Sequence, residues 1–279
     1  MKTYESGWEN KENLAFYVRS WVPDKRPKAV VALVHGHGEH VGRYAHVGKA
    51  FTSAGYALTA FDVRGHGRSG GPRGHTPNYE ALLNDMADFL ALVVGRFPKL
   101  PVFLYGHSTG GNLVLNYTLR RKPDVVGVIV TDPWLKLAFD VPVARLLMAR
   151  VMDKIAPGFT QDSGIETAAL SRDPEIVKAY VNDPLVHEKI SVRFFSVIYD
   201  SGLWALEHAP EFPVPLLLMQ GTADRIVSAQ ANHEFTERAG KKATWRAWDG
   251  LYHEIHNEPE KAKVLKAMLD WMDKRLKKK

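Results

Sequence analysis

The chain has 279 residues, 45% of them hydrophobic and 24% charged, which suits one large globular domain or two small ones with a substantial core. Cysteine is absent, so disulfides, thiolate catalysis and cysteine-held zinc are excluded. The net charge of +6 has no aromatic-interleaved basic stretch behind it, so no nucleic-acid partner is expected. No run of about 18 apolar residues suggests a membrane span, and the polar start Met1-Lys2-Thr3-Tyr4-Glu5-Ser6 lacks the apolar core of a secretory signal, so a cytoplasmic location is expected.

In chain order, Ala15 to Trp21 alternates and predicts an early edge strand. The valine-rich run Ala29 to Val34 predicts a buried strand ending at His35-Gly36. A helix over Val47 to Ser53 is stopped by Gly55, and Tyr56 to Phe61 is the next strand. Tyr79 to Val94 carries Leu82, Leu83, Met86, Phe89, Leu90 and Val93 at helical spacing. Then come a strand over Pro101 to Tyr105, a helix from Asn112 to Arg120 and a strand from Val125 to Val130. Residues from about Pro133 to Phe212 hold no clear strand. Their helical apolar patterns (Val143 to Met152, Ile176 to Val181, Val192 to Leu206) are punctuated by Pro142, Pro157, Pro174 and Pro184. The alternation resumes with strand Val214 to Met219, helix Ala229 to Arg238, strand Ala243 to Trp248 and helix Glu260 to Leu276. The basic end Lys274-Arg275-Leu276-Lys277-Lys278-Lys279 complements the last helix's dipole; attraction to anionic lipid is its other reading. Strands alternating with helices imply an α/β fold with a mostly parallel central sheet flanked by helices. The expected division is a core of residues 1–132 and 213–279 with an inserted helical cap over 133–212, where a strand's carboxyl end meets ligand.

Two segments match G-x-S-x-G. Gly106-His107-Ser108-Thr109-Gly110 lies between a strand pattern and a helix pattern, the setting of the nucleophile elbow of α/β-hydrolases. Gly67-Arg68-Ser69-Gly70-Gly71 follows a strand pattern but opens into Pro72 and Gly74, so Ser69 is read as a loop serine. Ser108 is therefore the expected nucleophile, and a serine hydroxyl needs a base to be reactive. The fold demands the chain order serine, acid, histidine. Asp224 follows the strand Val214 to Met219 by a short turn and is the expected acid, with Asp132 as its rival after another strand. His253 follows the last strand and is the expected base, with His256 as its rival.

An oxyanion hole needs two backbone N–H groups. Thr109, after the nucleophile, supplies one and His37, in the loop His35-Gly36-His37-Gly38-Glu39-His40, the other. Three histidines and a glutamate in that loop invite a metal reading, but the fold needs backbone donors there, so no metal and no cofactor is expected.

These pieces resemble the monoacylglycerol lipase and lysophospholipase group of serine hydrolases. The matching segments are His35-Gly-His-Gly-Glu-His40 with Gly42-Arg43-Tyr44, Asp62-Val-Arg-Gly-His-Gly-Arg-Ser69, Gly106-His-Ser-Thr-Gly-Gly111, Asp183-Pro184-Leu185-Val186, Gly221-Thr-Ala-Asp224 and Tyr252-His253-Glu-Ile-His256. They span nearly the whole chain in family order. The resemblance implies the same triad of Ser108, Asp224 and His253, a mobile apolar cap, a small lipid ester substrate and peripheral membrane contact through the cap. His37, Thr109 and Trp134-Leu135-Lys136-Leu137 depart from the family pattern. The expected function is hydrolysis of monoacylglycerol esters through an acyl-enzyme. The alternatives are a lysophospholipase, a broader carboxylesterase for aryl or polyester substrates, and a non-catalytic hydrolase-like binding protein. Cap residues within 133–212, among them Leu146, Leu147, Met148, Ile155, Phe159, Ile198 and Leu203, are expected to include the lining of an acyl tunnel.

Overall fold

The computed structural model describes residues 1–277; Lys278 and Lys279 of the basic tail lie outside the described residues. The core is an eight-stranded sheet. Its strands are β1 (Lys2–Glu9), β2 (Ala15–Val22), β3 (Ala29–Val34), β4 (Tyr56–Phe61), β5 (Val102–His107), β6 (Gly127–Thr131), β9 (Leu216–Gly221) and β10 (Ala243–Trp248). The spatial order is β1-β2-β4-β3-β5-β6-β9-β10. β2 is antiparallel to both β1 and β4, and every later neighbour pair is parallel.

The apolar runs explain the layering. All residues of β3, β4, β5, β6 and β9 are buried, as strands covered on both faces must be. One face packs on α2 (Tyr79–Arg96), α3 (Thr109–Arg121) and α7 (Ala229–Ala239) through Leu82, Phe89, Leu113 and Phe235. The other packs on α1 (Ala45–Ser53) and α8 (Lys261–Leu276) through Val47, Phe51, Met268 and Trp271. The chain runs from β3 to β4 on one side and then returns to β5 on the other. That reversal opens a crevice beyond the carboxyl ends of β3 and β5, where ligands bind in open α/β sheets.

Residues between β6 and β9 form an insert. It contains α4 (Val143–Ile155), α5 (Pro174–Asn182) and α6 (Val192–His208), with the short antiparallel strands β7 (Thr160–Asp162) and β8 (Lys189–Ser191). Those two strands correct the expectation of a region without strand; three residues each are too few to show a period of two. α6 is the anchor. Asn112 of α3 donates to the carbonyls of Trp134 (2.8 Å) and Ile198 (3.2 Å), and Asn116 to that of Ser201 (3.0 Å). α4 contacts α6 but contributes no buried residue.

A second correction concerns the sheet edge. Ala15 to Trp21 is not the outermost strand, because β1 lies outside it. β1 is almost wholly exposed and is held by its ladder and by Trp8, whose ring stacks on Phe16 at 4.5 Å. No apolar alternation advertises it.

Candidate active site

Ser108 sits between β5 and α3, at the crevice. Its backbone is strained, with φ 53° and ψ −118°, a conformation costing about 1–3 kcal/mol that the surroundings must impose. Gly110 permits the turn: a Cβ there would stand 2.1 Å from the Val34 carbonyl oxygen. The turn is held by hydrogen bonds from Ser108 N–H to the Thr131 carbonyl and from Trp134 N–H to the Ser108 carbonyl, both 3.0 Å.

His253 Nε2 lies 2.9 Å from Ser108 Oγ, and its Nδ1 lies 2.8 Å from Asp224 Oδ2. Since Oγ needs an acceptor and the carboxylate a donor, the neutral ring carries its proton on Nδ1. Asp224 also accepts from the Ile226 and Val227 N–H groups at 2.7 and 3.1 Å and from Gln220 Nε2 at 3.0 Å. Burial raises the Asp224 carboxyl, but His253 and the Ile226 and Val227 N–H groups outweigh it, and the net shift is downward. For His253 burial acts downward and the Asp224 charge upward, and the net shift is upward.

His37 and Thr109 both line the cavity in front of Ser108. Among the described residues, neither backbone N–H donates to a protein acceptor. The His37 ring points into the fold instead, packing against His66, His187 and Phe194. Burial drives its pKa down to about 3, so the ring is neutral.

The cavity has a volume of about 830 Å³ and runs from Ser108 under the insert, past Trp134, Phe195, Ile190, Met152, Met148 and Phe159. Of the cap residues expected to supply a lining, Met148 and Phe159 reach the cavity; Leu146, Leu147, Ile155, Ile198 and Leu203 do not.

Residues 25–260 match the Hydrolase_4 family, described as serine aminopeptidase, S33. The chain belongs to this family. It is 34% identical over 254 residues to the monoacylglycerol lipase of Mycolicibacterium smegmatis, covering 90% of each chain. It is 36% identical over 270 residues to an uncharacterised abhydrolase-domain protein of Dictyostelium discoideum, covering 96% of this chain but only 28% of that longer one. Among solved structures, the monoacylglycerol lipase of Paleococcus ferrophilus superimposes with a TM-score of 0.84 at 31% identity, covering 99% and 100% of the two chains. The fold is the α/β-hydrolase fold, and the protein is a lipase or esterase of the carboxylic ester hydrolase kind.

In this Hydrolase_4 member the rival serine and histidine are engaged elsewhere, while the rival acid lies beside the site. Ser69 Oγ donates to the Asp62 carbonyl at 2.5 Å and accepts from Tyr17 N–H at 3.0 Å, pinning a loop. His256 is fully buried, stacked on Tyr44 and edge-on to His107, and does not reach Ser108. Asp132 directly follows β6, close to Asp224 and His253, but the hydrogen bond to His253 belongs to Asp224.

The histidine-rich loop spends its side chains on protein partners. His35 accepts from Val63 N–H, His40 pairs with Asp183, and Glu39 accepts from Gly36 N–H, Tyr44 and Arg43. Arg43 also holds Glu254 through two bonds of 2.6 and 2.7 Å. It thereby ties the His37 loop to the loop carrying His253. That loop is gripped from the insert as well: the N–H groups of His253 and Glu254 donate to the Ala169 and Leu170 carbonyls at 3.4 and 2.7 Å.

Gln220 and Asn232 escaped the sequence reading. Both are fully buried; Asn232 orients the Gln220 amide at 2.7 Å, and Gln220 in turn donates to Asp224. The available signal was a lone amide closing the otherwise apolar run Leu216 to Met219.

Proposed function

We propose that this protein hydrolyses monoacylglycerol-type esters through an acyl-enzyme, with Ser108 as nucleophile, His253 as base and Asp224 as its orienting acid. The observation that carries the reading is the continuous hydrogen-bonded chain from Asp224 through His253 to Ser108, opening into a mainly apolar cavity. Ser108 Oγ attacks the ester carbonyl carbon while its proton passes to His253 Nε2. The charge that develops on the carbonyl oxygen is received by the N–H groups of His37 and Thr109. The C–O bond to glycerol then breaks and the imidazolium gives its proton to the leaving alkoxide. Water, deprotonated by the same nitrogen, attacks the acyl-Ser108 and releases the fatty acid. Asp224 keeps Nδ1 protonated and stabilises the imidazolium throughout.

Residues 133–212 then act as a cap over a core of residues 1–132 and 213–279. Among the described residues, no helix is long and apolar enough to cross a membrane. α4 nevertheless exposes Val143, Leu147, Met148, Val151 and Ile155, each more than half, beside Arg145, Arg150 and Lys154. That combination suits shallow insertion into an anionic lipid surface, where the substrate resides.

Arg145 among the cavity residues favours one second reading, a lysophospholipid whose phosphate it would face. A panel of mono-, di- and triacylglycerols, lysophospholipid and p-nitrophenyl esters over acyl length separates the two. Preference for monoacylglycerol is expected, and efficient triolein cleavage would refute a cavity built for one acyl chain. Labelling with an active-site fluorophosphonate tests the catalytic reading itself: no adduct on Ser108 would leave a binding protein.

A further inference from the structure

Asp132 is a polar group at the site that the reaction above does not use. It follows β6 directly in a left-handed conformation, φ 46°, with its N–H bonded to the Met219 carbonyl at 2.9 Å. Its side chain is fully buried. Oδ1 accepts from Gly221 N–H at 2.8 Å, whereas Oδ2 has no partner among the described residues. A carboxylate oxygen of Asp132, one of Asp224 and a ring nitrogen of His253 all lie within 4.8 Å of one another.

Two buried carboxyls this close do not both ionise. The donors decide which one does. Asp224 receives four hydrogen bonds, from His253, Gln220, Ile226 and Val227, and Asp132 receives one. Asp224 therefore carries the charge and Asp132 the proton. Burial first, and then the Asp224 charge, hold the Asp132 carboxyl well above the usual carboxylate range, with Glu258 and Glu254 adding in the same sense. Because Oδ1 is occupied as an acceptor, the proton sits on Oδ2, on the side without a partner.

We propose that Asp132 is a reserve acid for His253, a positioning residue kept protonated by its neighbour Asp224 and able to replace it. The inference rests on the roles given above to Ser108, His253 and Asp224. If Asp224 loses its charge, the repulsion that holds the Asp132 proton disappears. Asp132 then releases that proton to solvent and accepts the His253 Nδ1–H after a small rotation of the imidazole. The ring keeps the tautomer the reaction needs, through a different oxygen.

The test is a double-mutant cycle in the full chain with p-nitrophenyl butyrate, using Asp224→Asn, Asp132→Asn and the double variant, with Ser108→Ala as the control. Asp132→Asn is expected to lower kcat by about two- to fivefold. Asp224→Asn should lose about 10- to 100-fold, well short of the about 10⁴-fold cost of an orienting acid with no substitute. The double variant should reach about 10⁴-fold, at least tenfold beyond the product of the singles. In Asp224→Asn the residual kcat should climb with pH as Asp132 ionises, and that climb should vanish in the double variant, which a purely structural role would not produce. If the double variant does not fold by circular dichroism, Asp132→Ser in its place keeps an oxygen for Gly221 N–H. A double variant equal to the product of the singles, with the same pH profile as Asp224→Asn, overturns the reserve role while an inactive Ser108→Ala leaves the triad standing. An active Ser108→Ala overturns the triad and the reserve role together.

Discussion

Lipid contact and chemistry can be tested separately at α4, because no residue of it is fully buried and four of its exposed apolar residues, Val143 among them, avoid the cavity. Leu147, Val151 and Ile155 are 57%, 56% and 74% exposed, and none of them lines the space in front of Ser108. Full burial of such a side chain is worth about 1.5–3 kcal/mol. Scaled by the exposed fraction, each contributes about 1–2 kcal/mol on entering lipid. The triple variant Leu147→Ser/Val151→Ser/Ile155→Ser should therefore weaken binding to vesicles by at least about 3 kcal/mol, roughly 150-fold in partition coefficient. The assay is co-flotation with vesicles of neutral and anionic phospholipid, paired with hydrolysis of monooleoylglycerol presented in those vesicles and of soluble p-nitrophenyl acetate. Vesicle binding and vesicle-borne turnover should fall together, acetate hydrolysis should stay within about twofold, and the melting temperature should not drop. Unchanged vesicle binding would refute membrane contact through α4. A parallel loss on both substrates would mean that α4 supports the fold.

The remaining predictions concern the site. Ser108→Ala should lower kcat by about 10³-fold or more, since the members of such a set act as a unit; Ser69→Ala should leave the chemistry intact and cost about 1–3 kcal/mol of stability in a chemical denaturation curve, because a buried carbonyl and N–H lose their partner. His253 must be neutral to accept the Ser108 proton, and its pKa is raised above the ordinary 6.5. Activity should therefore fall as pH drops through a value above 6.5, and a kcat/KM profile flat down to pH 5.5 would contradict the base assignment. Met152→Trp, placed along the cavity, should cut kcat/KM for palmitoyl esters at least about tenfold, as several methylenes at about 0.8 kcal/mol each lose their place, with acetate esters unaffected.

Strand-turn-helix context made the elbow at Ser108 legible, and the chain order of strand ends led to Asp224 and His253. Sequence favoured Asp224 over Asp132 by its place after a strand near the C-terminus and by the Gly221-Thr-Ala-Asp224 resemblance, but it could not show what each carboxyl bonds to. That comes from donors that converge on Asp224 only in three dimensions, one of them from Gln220, which Asn232 on a different element holds in place. β1 stayed hidden for a different reason: a strand held by its ladder and one indole carries no alternation to read. α4 shows the reverse error. Its amphipathic pattern implies a face packed on protein, yet that face, with Leu146, Ala149 and Met152, is only half-buried against α6 and the cavity, and no residue of the helix is fully buried.

The insert is divided in a way that matters for how such enzymes diversify. Around Ala169 and Leu170 its backbone carbonyls hold the loop that bears His253, so a shift there displaces the base. Around α4 it leans mainly on α6 and shapes the cavity through a few side chains. Changes among residues 143–155 are expected to alter acyl length preference and surface while leaving the Asp224–His253–Ser108 hydrogen bonds in place. The same kind of change at 169–170 is expected to shift the loop bearing His253 and to lower turnover. With His253 as the base, selectivity and reactivity are expected to be separable traits, carried by two ends of one insertion.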